Sequence, residues 1–259
     1  MAGVLASKDV RTDAGREVLD HLLRVVARTP AVHEPFSHVY FENVFPPEIY
    51  ATMMASMPDA AHYRAINVDK HSRDDGVSTR DVLPLDADSL CALPESQRGV
   101  WHAVSKVLSS PELKSAVFNK LAPDLALRFG IKESEVDRLV TYCKPSLMRD
   151  LEGYEIPPHP DGRAKIVTMQ LYLPRDRSQL GLGTALYKRK FTSLRGLVSW
   201  HGRFAKVKQF PFAPNSGYAF VVSNSRARKS WHGRERLPEG SGVRNSILNL
   251  YFATNDREY

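Results

Sequence analysis

Residues 156–174 read IPPHPDGRAKIVTMQLYLP. After two prolines, this stretch places His159 and Asp161 two residues apart, directly before a run rich in β-branched and aromatic side chains. On an extended chain this spacing points both side chains to the same face. One short segment can therefore offer a nitrogen and an oxygen ligand to a metal ion. Alone the pattern is weak, because an HxD triplet often occurs by chance.

A metal site of this kind needs a second histidine, and the sequence offers two. His201 and His232 each lie in a copy of the pentapeptide SWHGR. We favour His232, because it follows the predicted strand GYAFVVS and precedes VRNSILNLYFA, whereas no arginine opens the strand after His201. Two imidazoles and one carboxylate on one face of a metal leave its other positions open, as in an Fe(II) facial triad. The same donors also suit zinc.

The strand after His232 begins with Arg244. Arg244 and Ser246 are two residues apart and share one face of that strand. A guanidinium beside a hydroxyl can bind a carboxylate in a bidentate way. An arginine at a strand end is usually solvated, but a buried one requires a partner. Its position beyond the candidate metal site therefore favours a role in binding an anionic ligand.

The pattern of apolar and turn residues changes near residue 138. Before it, apolar residues recur at helical spacing, as at Val18, Leu22 and Val25, and prolines stand where helices begin. After it, short apolar runs alternate with turn residues, which predicts antiparallel strands. The runs are RLVTYCKP, AKIVTMQLYLP, GTALYK, RFAKVKQFPF, GYAFVVS and VRNSILNLYFA. The pattern predicts an α+β fold in which helices support a double-layered β core.

We expect a single domain over residues 1–259, because no linker divides the chain. Residues 1–137 are predicted to form a mainly helical support region with one strand at 36–45, and residues 138–259 the β core. Residues 63–95 are polar and predicted to be irregular. Such a stretch is typical of a solvated connection or of a loop that covers a substrate.

Residues 138–254 resemble the 2-oxoglutarate/Fe(II)-dependent dioxygenases, in particular the prolyl-hydroxylase-like branch. The resemblance rests on PPHPD, the strand ending in LYLP, LGTALY, GYAFVVS before SWHG, and RNS on the last strand. It implies a double-stranded β-helix (jelly-roll) catalytic core with N-terminal support helices. It also implies that His159, Asp161 and His232 are the catalytic residues that ligate Fe(II).

The resemblance further implies residues for the cosubstrate 2-oxoglutarate. Arg244 would pair with its C5 carboxylate, and Ser246 completes the family's RxS pattern. Tyr172 stands where relatives have a tyrosine that reaches the same carboxylate, although it fits a core aromatic equally well. Thr168 lies on the same strand face and could add a hydroxyl.

With O2 as the second cosubstrate, the implied reaction hydroxylates an unactivated C–H bond and releases succinate and CO2. Related halogenases have a small residue at the place of Asp161, so halogenation is disfavoured. We expect the substrate to be a small-molecule metabolite of amino-acid, sugar or natural-product type. Arg80, Arg149 and Arg163 are candidate substrate-binding residues and favour an anionic molecule.

Other functions remain open on the sequence. They are a protein or peptide hydroxylase, a nucleic-acid oxidative demethylase, a zinc hydrolase, and a non-enzymatic binding sandwich with a degenerate site. The net charge is +7, from 36 lysines and arginines against 29 acidic residues, which permits a nucleic-acid partner. The basic residues are scattered, however, with no stripe of interleaved aromatic side chains, so nucleic acid is disfavoured.

Cysteine content and hydropathy bear on location. Cys91 and Cys143 are too few for a disulfide framework, and we expect both to be buried apolar residues. No apolar run has the length of a signal peptide or approaches the roughly 20 residues of a membrane span. We therefore expect a cytoplasmic protein without membrane association. The sequence does not indicate an oligomeric state.

Overall fold

The computed structural model describes residues 3–66, 72–73, 75–190 and 200–255. Its helices span Gly3–Arg28 (α1), Pro47–Ala55 (α2), Ala87–Cys91 (α3), Glu95–Leu108 (α4), Pro111–Lys120 (α5), Ala122–Phe129 (α6) and Trp200–Arg203 (α7). The Ser110 side chain caps α5, and Gly130, at a φ of 65°, ends α6. Within the described ranges, no helix is both long and apolar enough to cross a bilayer.

Two antiparallel sheets form the β part of the molecule. The strands are His38–Glu42 (β1), Arg64–Ala65 (β2), Arg80–Pro84 (β3), Tyr142–Asp150 (β4), Ile156–His159 (β5), Lys165–Leu173 (β6), Ala185–Arg189 (β7), Phe204–Gln209 (β8), Ser216–Val221 (β9), His232–Arg234 (β10) and Arg244–Phe252 (β11). The major sheet has the order β1-β9-β6-β11-β4-β3-β2, and the minor sheet the order β5-β10-β7-β8. Helices and antiparallel sheets together confirm the predicted α+β class.

The alternation of side chains along β6 shows how the layers stack. Val167, Met169 and Leu171 pack into the large core that the major sheet shares with the helices. Tyr172, on the opposite face, packs against Leu186 of the minor sheet in a second cluster. Both faces of β6 are therefore buried, which accounts for its long apolar run. The major sheet is the middle layer between the helices and the minor sheet.

The prediction that residues 63–95 are irregular was wrong for much of the segment. Strands β2 and β3 lie within it and extend the major sheet, with β3 paired to β4, and α3 follows. Strand β3 reads RDVLP, in which charged residues and a proline hide the alternation that marks a strand. Residues 67–71 and 74 lie outside the described residues. The described residues of the first half of the chain thus supply three strands, β1 to β3, besides the helices.

The two cysteines differ from the expectation that both are buried. Both are free, but Cys91 is exposed at the end of α3. Cys143 is partly buried, and its thiol donates a hydrogen bond to Asn249 Oδ1 at 2.9 Å. Burial raises the pKa of Cys143 to about 12, so this thiol stays protonated at neutral pH.

Candidate metal centre

His159 and His232 face each other across two strands of the minor sheet. His159 ends β5, His232 begins β10, and the two form a cross-strand pair with ring centroids 4.4 Å apart. The Asp161 carboxylate lies beside both rings, with Oδ1 4.0 Å from His159 Nε2 and Oδ2 3.6 Å from His232 Nε2. One ligand atom from each residue lies within 4.8 Å of the others. The structure therefore brings together the three residues that the sequence singled out.

Both histidines present the same nitrogen to the shared space. Nδ1 of His159 lies 3.0 Å from the Pro157 carbonyl oxygen, and Nδ1 of His232 lies 2.9 Å from that of Ser230. A carbonyl only accepts, so Nδ1 carries the proton and donates in each ring. Nε2 is then the nitrogen with a free lone pair. Proteins fix the tautomer and orientation of metal-binding imidazoles by such bonds.

Burial, which is nearly complete for His232 and partial for His159, keeps both imidazoles neutral. It lowers the pKa of His159 to about 4, with the nearby His232 adding to the effect. It lowers the pKa of His232 as well, and the ring of Phe220 packs against this imidazole at a centroid distance of 4.6 Å. At neutral pH both rings therefore have a lone pair available for a cation.

Asp161 is buried and held on both oxygens. Lys165 Nζ lies 2.6 Å from Oδ1, and the Thr168 hydroxyl donates to Oδ2 at 2.8 Å. Burial alone would raise the pKa of Asp161, but the charge and the hydrogen bond of Lys165 hold it far below its usual range. The carboxylate is therefore ionised and fixed in orientation. Thr168, suggested by the sequence as a cosubstrate hydroxyl, here orients the candidate metal ligand.

Arg244 is buried at the start of β11 with an acidic partner. Its Nη1 donates to Asp150 Oδ2 at 2.6 Å, and its Nε donates to the Leu182 carbonyl at 2.7 Å. Arg80 Nε lies 3.1 Å from the other oxygen of Asp150. The three residues face one another across β3, β4 and β11. Asp150 thus lies between two guanidinium groups, an arrangement that the sequence did not indicate.

The three candidate ligands and Arg244 line one pocket, together with polar side chains centred on Gln170. Its amide donates to Ser246 Oγ at 2.9 Å and accepts from the Tyr218 hydroxyl at 2.8 Å. Thr184 Oγ1 lies 3.3 Å from the same Gln170 oxygen, and the Thr184 backbone N–H donates to the Tyr172 hydroxyl at 3.1 Å. Tyr172 and Ser246 lie behind the pocket wall, whereas Tyr218 and Thr184 line it. The sequence offered no signal for Tyr218.

Arg234 is a pocket residue that sequence reasoning missed. It lies two residues after His232 on β10 and is only 4% exposed. A signal existed, because the i, i+2 spacing that unites His159 and Asp161 also places Arg234 on the face of His232. The many other basic residues between Arg226 and Arg236 obscure that signal.

The remaining predicted residues lie in different places. Arg80 lines the pocket, together with the three candidate ligands and Arg244. Arg149 and Arg163 are not part of its lining. Arg149 pairs with Asp81 at 3.5 Å, and Arg163 Nε donates to the Asn224 carbonyl. His201 lies in α7, and its side chain is outside the described part of the chain.

Comparison with known proteins bears on the fold. No family model matches the chain, and no curated protein is significantly similar to it. A structure of JOX2 in complex with 2OG, Fe and JA matches with a TM-score of 0.54 at 16% identity, covering 91% of this chain and 72% of that one. A prolyl-4-hydroxylase from Pseudomonas putida matches with a TM-score of 0.49 at 11% identity, covering 91% and 98%. The chain therefore has the double-stranded β-helix fold of the 2-oxoglutarate/Fe(II) oxygenases, which the resemblance in its sequence implied.

Proposed function

We propose that the protein is an Fe(II)- and 2-oxoglutarate-dependent dioxygenase that hydroxylates an unactivated C–H bond of a small-molecule metabolite. The observation that carries the proposal is the convergence of His159, Asp161 and His232 in the pocket that also contains the buried Arg244. A zinc hydrolase would leave the role of the buried Arg244 unexplained. A binding module has no need of a carboxylate kept ionised between two neutral imidazoles.

The donor set fits Fe(II). His159 and His232 would each supply Nε2, and Asp161 one carboxylate oxygen, which leaves the remaining positions open. When bound, the iron would supply the activation of O2, with 2-oxoglutarate as the electron donor that is converted to succinate and CO2. Lys165 and Thr168 keep the carboxylate in place, and the carbonyls behind each histidine keep the rings aligned.

Arg244 is proposed to hold the distal carboxylate of 2-oxoglutarate. Asp150 takes one of its donors and the Leu182 carbonyl another, and Nη2 lies 3.5 Å from Thr184 Oγ1 beside the pocket. The rings of Tyr172 and Phe212 cover the guanidinium, with centroids 5.4 and 4.5 Å from its carbon. Such cover excludes water and strengthens a charge-assisted bond to a carboxylate.

Anaerobic addition of Fe(II) and 2-oxoglutarate tests the proposal directly. We expect a weak visible charge-transfer band in the wild-type protein, because 2-oxoglutarate chelates iron through its 2-oxo acid end. The band should disappear in His232→Ala. In Arg244→Lys it should need a higher 2-oxoglutarate concentration, since lysine keeps the charge but loses the planar fork.

His102→Ala is the matched control, because His102 is exposed on α4 and far from the candidate ligands in sequence. It should give the wild-type band. A folded, iron-loaded wild-type protein without the band would contradict the proposal. Turnover that needs zinc but no oxygen would favour the hydrolase instead.

A further inference from the structure

Arg234 is a buried cation that faces the pocket almost without a partner. Its Nη1 lies 3.5 Å from the Gly183 carbonyl oxygen, at the limit of a hydrogen bond, and its Nε has no hydrogen-bond partner among the described residues. The neighbouring carboxylate, Glu235, is exposed and pairs with Lys206 at 2.8 Å. Most of the donors of Arg234 are therefore available to a molecule inside the pocket.

The other two arginines of the pocket differ from Arg234 in this respect. Arg80 and Arg244 share Asp150, one on each carboxylate oxygen. Arg234 and Arg244 lie beside the same short segment, since Arg234 approaches the Gly183 carbonyl and Arg244 the Leu182 carbonyl and the Thr184 hydroxyl. The Arg234 guanidinium thus adds positive charge next to that of Arg244, without a carboxylate of its own.

Arg234 is charged despite its burial. A guanidinium is not deprotonated in proteins, so Arg234 is cationic at neutral pH although it is only 4% exposed. A buried charge that lacks a partner is costly, and proteins retain one mainly where a ligand supplies the partner. The pocket wall around Arg234 is polar. A carboxylate is the natural partner there, because it matches the planar guanidinium in shape and charge.

The charge of the whole pocket favours more than one anionic ligand. Among the described residues that line it, the cationic side chains are Arg80, Lys165, Arg234 and Arg244, and the acidic ones are Asp150 and Asp161. The pocket therefore has two more positive than negative charges. The dianion 2-oxoglutarate would balance them, but a divalent metal ion would add two positive charges again. An anionic primary substrate would then reduce the remaining positive charge.

We infer that Arg234 binds a carboxylate group inside this pocket, and that the primary substrate brings it. The inference rests on the proposed function and narrows its substrate class to carboxylic acids. The distal end of 2-oxoglutarate is the other possible source of the same group, and the two sources differ in what the loss of Arg234 does to the cosubstrate.

Calorimetric and NMR titrations of the protein loaded with Mn(II), which replaces Fe(II) without oxidation, distinguish the sources. We would first titrate 2-oxoglutarate, then titrate butyrate into the saturated complex as a simple monocarboxylate probe. If the substrate brings the carboxylate, Arg234→Gln leaves the 2-oxoglutarate affinity unchanged and weakens butyrate at least about tenfold, because charge-assisted bonds are lost. Arg234→Lys should give an intermediate value.

The matched control is Arg236→Gln, two residues further along the chain and exposed. It should bind both ligands as the wild type does. If Arg234→Gln weakens 2-oxoglutarate but not pyruvate, which lacks the distal carboxylate, the cosubstrate is the source. Wild-type affinities for both ligands in Arg234→Gln would overturn the inference.

A titration with succinate in the absence of metal tests the carboxylate site independently of the proposed oxygenase function. Binding of succinate that depends on Arg234 in chelator-treated protein supports the carboxylate site whatever metal the protein uses. If that binding is present while Mn(II) and Fe(II) fail to promote 2-oxoglutarate binding, the proposed function fails and the carboxylate site stands. Normal 2-oxoglutarate binding with no effect of Arg234 on any carboxylate would overturn the carboxylate site and leave the proposed function standing.

Discussion

Asp161 shows how single residues prepare the site. Each of its oxygens already has a donor, Lys165 on one and Thr168 on the other, while the two imidazoles lie on the remaining sides. The carboxylate therefore keeps one orientation before any cation arrives. Such preorganisation lowers the entropic cost of ordering the ligands when a metal binds.

Removing the unpaired charge of Arg234 should stabilise the ligand-free protein. Arg234→Met keeps most of the apolar volume and removes a desolvated cation, so we expect the free energy of unfolding to rise by about 1 kcal/mol. Residues that bind a ligand often lower the stability of the ligand-free protein in this way. Urea denaturation in the absence of metal and carboxylates measures the change.

Arg244→Met is the contrasting variant, because it breaks a buried ion pair with Asp150. It should lower the free energy of unfolding by about 3 kcal/mol. If Arg234→Met proves as destabilising as Arg244→Met, Arg234 has an essential structural partner in the ligand-free fold.

Residue patterns in the sequence predicted part of this site. The spacing of His159 and Asp161 and the context of His232 indicated three side chains that the structure brings together, because spacing along a strand determines which side chains share a face. Asp150 was not foreseen, since its contact with Arg244 depends on how β4 and β11 pair. Strand register between distant segments cannot be derived from one sequence by local patterns.

At the scale of elements, the close approach of β10 to β5 positions the two histidines. Gly233 lies between His232 and Arg234, and a Cβ atom there would be 2.7 Å from the Ile156 carbonyl oxygen. Glycine in a strand often marks such an approach of another backbone. We expect Gly233→Ala to push β10 from β5, separate the imidazoles and weaken Mn(II) binding about tenfold or more.

Calorimetric titration with Mn(II) measures that loss. Gly181→Ala is the matched control, since a Cβ at Gly181 would meet nothing within 4 Å. Equal Mn(II) affinity in Gly233→Ala and the wild type would show that the strand spacing does not control the metal site.

The long strands were predictable from sequence and the short ones were not. Strands β6 and β11 carry nine residues each with strong β-propensity. Strands β5 and β10, which hold the candidate ligands, have four and three residues and contain proline or glycine. They are strands only because their neighbours in the minor sheet pair with them. Tertiary pairing of this kind leaves no periodic signal in the sequence.

At the scale of the whole molecule, a buried histidine links folding to pH. His38 on β1 is fully buried, its Nδ1 donates to the Phe36 carbonyl, and Lys208 Nζ lies 3.2 Å from its Nε2. Burial lowers the pKa of His38, and the charges of Lys208 and His33 act in the same direction. The unfolded chain therefore takes up this proton more readily than the folded protein.

Stability should consequently fall as the pH drops below about 6.5, the ordinary value for histidine, with a slope of up to about 1.4 kcal/mol per pH unit from this residue. Replacement of His38 by glutamine should reduce the slope of unfolding free energy against pH between 7 and 5, as followed by urea denaturation. His102→Gln, at an exposed position, should keep the wild-type slope. An unchanged slope in His38→Gln would show that this imidazole does not limit acid stability.

The order of the major sheet has a consequence for any attempt to shorten the gene. Strands from the first half of the chain lie at both borders, with β1 next to β9 and β3 next to β4. A polypeptide beginning at residue 138 would keep the candidate ligands but leave β9 and β4 with open hydrogen-bonding groups along their sides. Such bare borders invite pairing between molecules and precipitation. The segment before residue 138 therefore also serves as protection against aggregation.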